Sequence, residues 1–220
     1  MKNLFFCLLF MSLNSYSQET HIGFSYEYLY CPQFDKAIQT YNFDRPFLNE
    51  KQPLFLNGIN TNINHTFKND KNYKQGVSVG YSYFRSEADN VNFNKILNLH
   101  LVQIGYVLNF KNAKRFKGFY ETIQINCVLG GLFKNINDSP AYIEEKRVKS
   151  LGIGGEIKGL LGYNFKKISR LSPFISMIYS PYYYSPNSEA LLNDTKGLIK
   201  FSYLNYFKMN VGIIFKISKI

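Results

Sequence analysis

The chain lacks tryptophan, is poor in cysteine and histidine, and has no long hydrophobic run. Its 220 residues include three cysteines and three histidines. The apolar run from Leu4 to Met11 is far shorter than the about 20 residues that a helix needs to cross a bilayer, and no later segment is long enough. Neither Cys-x-x-Cys nor His-x-x-x-His occurs, and no acidic loop has the spacing of a calcium site. The sequence therefore predicts no transmembrane helix, no metal site and no cofactor.

The histidines also argue against catalysis. His21, His65 and His100 lie far apart, and none belongs to a His-x-Ser pattern with a third, acidic partner. A general base needs a nucleophile and an orienting group within reach. Gly130-Gly131 and Gly152 to Gly155 lie inside predicted strands with no helix after them, which excludes a phosphate-binding loop. We therefore predict that the chain is not an enzyme and has no catalytic residue.

Acidic residues are scarce, since 15 Asp and Glu stand against 26 Lys and Arg, for a formal net charge of +11. The basic surplus lies in three short connections, Lys68 to Lys74, Lys111 to Gly118 and Lys166 to Arg170. A protein that binds single-stranded nucleic acid combines a basic groove with aromatic side chains on which bases stack. Here the aromatic residues alternate with small residues inside strands instead. We predict no nucleic-acid partner and expect the lysines to lie in water near lipid headgroups.

The first seventeen residues differ from the rest of the chain. Lys2 gives a positive start, Leu4 to Met11 is apolar, and Ser15-Tyr16-Ser17 places small residues where a signal peptidase reads. This pattern predicts a cleaved secretory signal at Met1 to Ser17 and one mature domain from Gln18 to Ile220. Cys31 and Cys127 then remain, on strands far apart in sequence order, so we expect two separate packed thiols rather than a disulfide.

The last stretch, Phe207 to Ile217, alternates bulky apolar residues with polar or small ones. Alternation with period two predicts a β-strand. The outer edge of a terminal strand needs a partner, and the first strand of the chain provides one if the sheet closes.

Seven earlier runs also alternate, which gives eight predicted strands in the mature chain. They are His21 to Cys31, Gly58 to Phe67, Gln75 to Arg85, Leu97 to Phe110, Phe119 to Phe133, Leu151 to Phe165, Leu171 to Tyr183 and Leu198 to Ile217. In the fourth run the apolar parity shifts at Leu101-Val102, which predicts a β-bulge. We predict an all-β fold, an eight-stranded antiparallel up-and-down transmembrane barrel.

The connections alternate between long and short. The long ones are Pro32 to Asn57, Ser86 to Ile96, Lys134 to Ser150 and Tyr184 to Gly197. Outer-membrane barrels have long extracellular loops and short periplasmic turns. The pattern therefore places both termini on the periplasmic side.

The composition of the two strand faces indicates which one meets lipid. The less apolar parity consists mostly of Gly, Ser and Asn, which fit the crowded interior of a narrow barrel, and the bulky residues then face outward. A soluble barrel with an apolar interior is the alternative, but its exterior would be rich in Lys, Glu and Thr. Eight strands leave an interior just wide enough for side chains. We predict no general diffusion pore.

The inward parity also carries four charged residues, Glu27, Glu156, Lys158 and Lys216. Charges in a narrow lumen persist when they are paired and hydrogen-bonded. We predict a charge network across the lumen that plugs the barrel. The alternative is a network that opens transiently for ions.

The longest connection, Pro32 to Asn57, is rich in aromatic residues. They include Phe34, Tyr41, Phe43, Phe47 and Phe55. Because an exposed apolar patch needs to be covered, these residues either contact a protein partner or fold over the mouth of the barrel.

These features together resemble the porin-family outer-membrane β-barrel proteins of Bacteroidota, similar in architecture to OmpA/OmpX-type barrels. The resemblance rests on the Lys-led signal ending in Ser-Gln, the Tyr- and Asn-rich strands and the C-terminal Val-Gly-Ile-Ile-Phe-Lys-Ile. It implies the outer membrane as location, outer-membrane lipid as surroundings and the barrel assembly machinery as a partner in biogenesis. The chain ends in Ile220 where the assembly signal has an aromatic residue, although Phe215 lies close by.

The expected function is a structural or surface-interaction role in the outer membrane, carried by the long loops. Three alternatives stay open at this point. They are a narrow pore or transporter, an accessory subunit of a larger outer-membrane complex, and a lipid-modifying enzyme.

Overall fold

The fold of the chain is a closed antiparallel barrel in the order β1 to β8. The computed structural model describes residues 19–43, 46, 50–54, 57–69, 72–90, 93–110, 118–138, 148–165, 170–184 and 203–217. The strands are β1 (Glu19–Tyr30), β2 (Asn57–Asn69), β3 (Tyr73–Asn90), β4 (Phe93–Phe110), β5 (Phe119–Asp138), β6 (Val148–Tyr163), β7 (Leu171–Tyr184) and β8 (Tyr203–Ile217). The predicted eight-stranded up-and-down barrel is confirmed.

The terminal strand closes the sheet against the first, as its alternation predicts. Thr20 lies opposite Ile217 and Tyr30 opposite Phe207, in continuous register. On the outer face of this seam, the rings of Phe24 and Phe215 meet edge-on, with centroids 6.3 Å apart. Such cross-strand aromatic pairs stabilise a sheet beyond its backbone hydrogen bonds. Because the seam pairs both outer strands, the sheet exposes no edge.

The predicted long loop Ser86 to Ile96 is wrong. β3 and β4 stay paired as far as Asn90 and Phe93, so a paired hairpin replaces most of the loop. The last strand was predicted to start at Leu198, which lies outside the described residues. In the described part of the chain, β8 begins at Tyr203.

The predicted bulge at Leu101-Val102 is also wrong. β4 pairs with both neighbours in unbroken register across these residues. Leu97, Leu99 and Leu101 point inward, as Gln103 does. The parity of β4 is therefore constant, and what changes is the lining of the lumen, from apolar to polar. In β2, however, the register shifts between Thr66 and Lys68.

A helix, α1 (Pro32–Phe43), follows β1 directly and was not predicted. Its start has ordinary physical causes. Pro32 lies in the first turn, where its missing N–H costs nothing, and the Asp35 amide donates to the Cys31 carbonyl at 2.9 Å. The Asp35 carboxylate also lies in the first turn, where the helix dipole favours negative charge. No helix in the described part of the chain is long and apolar enough to cross a membrane.

Two ends of the barrel can now be named. The helix end is where β1 runs into α1, and the terminal end is where β1 begins and β8 ends.

Outward side chains are bulky and apolar on every strand. Examples are Phe24, Ile63, Val79, Ile104, Ile125, Ile157, Met177 and Val211, all at least 50% exposed.

The lumen is not lined by small residues throughout, so that prediction is wrong at the helix end. There it holds a buried apolar core, which includes Leu29, Phe84, Leu97, Leu99, Leu101, Leu132, Leu204, Tyr182 and Tyr206. The small residues make room for the large ones. A Cβ on Gly152 would collide with the Tyr182 ring, whose hydroxyl donates to the Gly152 carbonyl at 2.5 Å.

Candidate functional site: the barrel lumen

A charge cluster fills the middle of the lumen and centres on Lys208. The Lys208 Nζ lies 2.7 Å from Glu156 Oε2 and 3.4 Å from Glu27 Oε1. The side chains of Lys208 and Glu27 are fully buried and that of Glu156 is 3% exposed. Three strands supply these residues, since β1, β6 and β8 place them on the inward parity. One ammonium therefore links two carboxylates across the lumen.

Neutral amides complete the cluster. Asn126 Nδ2 donates to Glu156 Oε1 at 2.8 Å, and the Ser78 hydroxyl donates to Asn126 Oδ1 at 2.9 Å. With its amide oriented to satisfy its neighbours, Asn210 donates to Glu27 Oε1 at 3.1 Å. Such partners offset the cost of burying a charge, although Glu27 Oε2 has no hydrogen-bond partner among the described residues.

The four predicted lumen charges do not all meet. Glu27 and Glu156 come together on Lys208. Lys158 follows Glu156 by two residues on β6, and its Nζ lies 5.7 Å from the centre of the Phe174 ring. Lys216 lies apart, at the terminal end, 3.2 Å from Glu19. Sequence reasoning missed Lys208 as a member of the network. Its inward parity in the final strand, shared with Lys216, could have identified it.

A belt of neutral polar residues packs beside the charges. The Ser82 hydroxyl accepts from Asn60 Nδ2 at 2.9 Å and from Gln103 Nε2 at 2.8 Å, and Gln124 Nε2 donates to Asn64 Oδ1 at 3.3 Å. The cavity left within this belt has a volume of about 10 Å³, close to the minimum for one water molecule. The middle of the lumen is therefore filled.

The helix end is closed a second time, by α1. Phe34 is 1% exposed and stacks on Tyr206, with ring centroids 5.9 Å apart. Ile38, one turn later, is also buried in the same core. Residues i and i+4 lie on one face of a helix, so α1 presents an apolar stripe to the lumen.

The segment 50–54 fastens α1 to the barrel. The Asn42 side chain makes two hydrogen bonds with the backbone of Gln52, both 2.8 Å long. Gln52 Nε2 in turn donates to the Ser86 hydroxyl of β3 at 2.6 Å, and Ser86 donates to the Pro53 carbonyl. The helix is thus tied to the part of β3 that was predicted to be loop.

The aromatic residues of the predicted partner loop differ in their exposure. Phe34 is buried in the core, whereas Phe43, at the end of α1, is 84% exposed. Phe47, Phe55 and the side chain of Tyr41 lie outside the described residues. Of the five, Phe43 is the one that the described structure leaves available at the surface.

The two thiols are separate, and neither forms a disulfide. Cys31 is buried beneath α1, and burial raises the pKa of its thiol to about 12. Burial also raises the pKa of the nearby Asp35 carboxyl above its ordinary value. Cys127 faces outward on β5 and is exposed, so the prediction that both thiols are packed holds for Cys31 and is wrong for Cys127.

The histidines make ordinary polar contacts. Tyr81 Oη and His100 Nδ1 are 2.6 Å apart on the outer face, and Thr20 Oγ1 lies 3.1 Å from His65 Nδ1. Within the described residues, no group of three or more His, Cys, Asp or Glu side chains is placed to hold a metal ion.

The comparison with known proteins supports the fold. No protein-family model matches the chain, and no curated protein matches it either. Ail, the attachment invasion locus protein of Yersinia pestis, in complex with the heparin analogue sucrose octasulfate, is similar with a TM-score of 0.51 at 12% identity, covering 92% of this chain and 100% of that one.

Two further solved structures align over similar lengths. Neisserial surface protein A has a TM-score of 0.49 at 8% identity, covering 91% of this chain and 97% of that one. The N-terminal β-barrel domain of Pseudomonas aeruginosa OprF has a TM-score of 0.44 at 11% identity, covering 92% and 100%. These neighbours are small outer-membrane barrels. At such identities the likeness to Ail shows a shared fold and nothing more.

Proposed function

We propose that the chain is a small outer-membrane barrel of the porin-family type found in Bacteroidota, with a structural or surface-interaction role and no open pore. It is exported through a signal at Met1 to Ser17 and cleaved before Gln18. The observation that carries the proposal is the apolar coat of the barrel.

This coat is too large for a protein surrounded by water. Every strand contributes outward Phe, Tyr, Ile, Val, Leu or Met side chains, most of them 40% to 60% exposed. Monomeric soluble proteins rarely expose apolar patches above a few hundred Å². In hydrocarbon the coat is favourable, and the closed sheet satisfies its own backbone hydrogen bonds.

The filled lumen supports a role without conduction. Lys208 links both carboxylates at the centre, and the apolar core beneath α1 closes the helix end. An ion would have to break the buried pairs and then pass through tightly packed leucines. A surface role fits better, with the helix end and its exposed Phe43 as the contact region for a protein partner.

The membrane placement can be tested with Cys127, which lies outward in the middle of β5. The mature chain is folded into lipid nanodiscs and treated with a charged maleimide and with a lipid-soluble one. We expect the charged reagent to leave Cys127 unmodified, because acyl chains cover it, and the lipid-soluble reagent to modify it. Rapid modification by the charged reagent contradicts the placement.

A matched control uses Asn72→Cys in a Cys127→Ser background. Position 72 lies in the exposed turn between β2 and β3, so the charged reagent is expected to modify it. Folding is verified by heat-modifiable migration on gels. Mass spectrometry of the protein exported in a Gram-negative host tests the signal, with a mature chain beginning at Gln18 as the expected result and an uncleaved leader as the contrary one.

A further inference from the structure

The terminal end of the lumen contains a cavity that is separate from the filled middle. Its volume is about 520 Å³, within the range of about 300 to 1,000 Å³ that small-molecule sites have. The polar belt of Asn64 and Gln124 lies above it. Within the described residues, the cavity therefore extends from the polar belt to the strand ends at the terminal end.

The inner wall of this cavity is apolar. Leu160, Phe174 and Ile214 form a separate buried cluster, and Tyr120 packs against it. Leu160 and Ile214 line the cavity directly. On β8, Ile214 precedes Lys216 by two residues, so the apolar wall lies one step deeper than the charged rim.

The rim of the cavity is positively charged. Lys74 Nζ lies 2.6 Å and Lys216 Nζ 3.2 Å from the carboxylate of Glu19. Among the described residues that line the cavity, Glu19 is the one acid against these two lysines. A lysine ammonium has three donors, and each of these contacts engages one. The remaining donors are available to a second anion.

Two further polar side chains, Tyr120 and His21, line the cavity. His21 Nε2 lies 3.6 Å from the Glu19 carboxylate, and the Tyr120 hydroxyl makes no hydrogen bond within the described residues. Gly162 is needed to seat Tyr120, because a Cβ there would collide with the ring. The Tyr120 hydroxyl can therefore donate a hydrogen bond to a polar group of a bound molecule.

We propose that this cavity binds a small organic anion with an apolar body. Its anionic group lies on Lys74 and Lys216, and its apolar body lies against Leu160 and Ile214. The ligand enters from the side that the termini occupy, which is the periplasm if the barrel spans the outer membrane as proposed above. The inference itself rests on the cavity and not on that location.

The absence of tryptophan provides a clean reporter. Phe165 lines the cavity and is 41% exposed, so Phe165→Trp introduces a single tryptophan. The full mature chain is folded into phosphatidylcholine vesicles and titrated with 4-phenylbutyrate. The neutral alcohol 4-phenylbutanol, with the same apolar body, is titrated in parallel.

We expect a saturable fluorescence change with the acid and a much weaker, non-saturating change with the alcohol. Lys216→Gln in the reporter chain is expected to raise the half-saturating concentration about tenfold, since it removes one charged hydrogen-bond donor. Lys36→Gln is the matched control, because Lys36 carries the same charge on the exposed face of α1. It is expected to leave the titration unchanged.

Leu160→Phe provides a second, independent variant. It fills the inner wall without changing charge and is expected to abolish saturable binding, while heat-modifiable migration shows that the barrel folds. No saturable response of the reporter to the acid overturns the proposal. An equal response to the alcohol, or equal weakening by Lys36→Gln and Lys216→Gln, overturns it as well.

Discussion

The two ends of the lumen use the same barrel in opposite ways. At the helix end, large apolar residues fill the interior, and α1 covers them with Phe34 and Ile38. At the terminal end, a cavity of about 520 Å³ separates an apolar wall from a charged rim. The helix α1 adds Phe34 and Ile38 to the core at the helix end, and no described helix covers the cavity at the terminal end. The same inward parity therefore gives a filled interior at one end and a cavity at the other.

The largest expected loss of stability comes from the charge cluster around Lys208, which lies between the two ends of the lumen. Lys208→Ala leaves Glu27 and Glu156 buried without their shared cation. Removing one partner of a buried ion pair costs about 3 to 5 kcal/mol. Chemical unfolding in vesicles, followed by circular dichroism, measures the loss.

The matched control for Lys208→Ala is Lys216→Ala at the terminal rim, where the side chain is 38% exposed. The Lys216 ammonium is partly exposed, and Glu19 keeps its ion pair with Lys74 in this variant, so we expect a loss of at most about 1 kcal/mol. Equal losses in the two variants would mean that the centre of the lumen is hydrated, contrary to the burial of Lys208, Glu27 and Glu156.

A matched pair of leucines compares the two ends directly. Leu99→Ala, in the core at the helix end, creates an enclosed cavity and is expected to cost about 4 kcal/mol. Leu160→Ala widens a cavity that is already open, so we expect about 2 to 3 kcal/mol. The same unfolding assay provides both values, and the reverse order would show that the terminal cavity is closed.

Two phenylalanines in α1 test how the helix end is covered. Phe34→Ala removes the stack on Tyr206, so α1 is expected to detach and the segment after β1 to be cleaved at least about tenfold faster by protease. That factor corresponds to about 1.4 kcal/mol of local stability.

Phe43→Ala is the control for α1, because its side chain is 84% exposed. Its cleavage rate is expected to match that of the wild-type chain. If Phe34→Ala also leaves the rate unchanged, the helix is not held by the core.

The smallest effect is a pH dependence beneath α1. The pKa of the Cys31 thiol is raised to about 12 from its ordinary 9.0 by burial. The folded chain therefore keeps a proton that the unfolded chain releases, so stability is complete below pH 9 and falls as the pH rises toward 12. Between pH 8 and pH 10 the loss is about 1 kcal/mol.

Cys31→Ala removes that dependence, and its chemical unfolding midpoints at pH 8 and pH 10 are compared with those of the wild-type chain. The difference between the two chains isolates Cys31 from the many tyrosines that titrate in the same range. Parallel curves for both chains would contradict the burial of the thiol.

Much of the barrel follows from period-two alternation. It predicted the number of strands and the closing partner of β8, because burial on one face enforces strict parity. It also placed Glu27, Glu156 and Lys158 on the inward face, where the structure has them buried. Parity predicts which side chains point into the lumen, but it does not predict where along the barrel axis each one lies or which of them are in contact. For this reason Lys216 was grouped with residues that it does not contact.

The errors have a common cause. The bulge predicted in β4 and the uniformly small interior both assumed that inward residues are polar or small along the whole strand. In fact Leu97, Leu99 and Leu101 are inward at the helix end. Those leucines form a core only because α1 covers it, and the helix was itself missed within a long connection. A local pattern cannot report a contact between residues as distant in sequence as Phe34 and Tyr206.

Single-channel recording in planar bilayers tests the filled lumen most directly. The folded mature chain is added in concentrated potassium chloride, with a sixteen-stranded porin as the positive control and the heat-denatured chain as the negative one. Because charged pairs, a polar belt and a capped apolar core close the lumen in series, we expect current at the level of the denatured control. Regular conductance steps from the wild-type chain would contradict that closure.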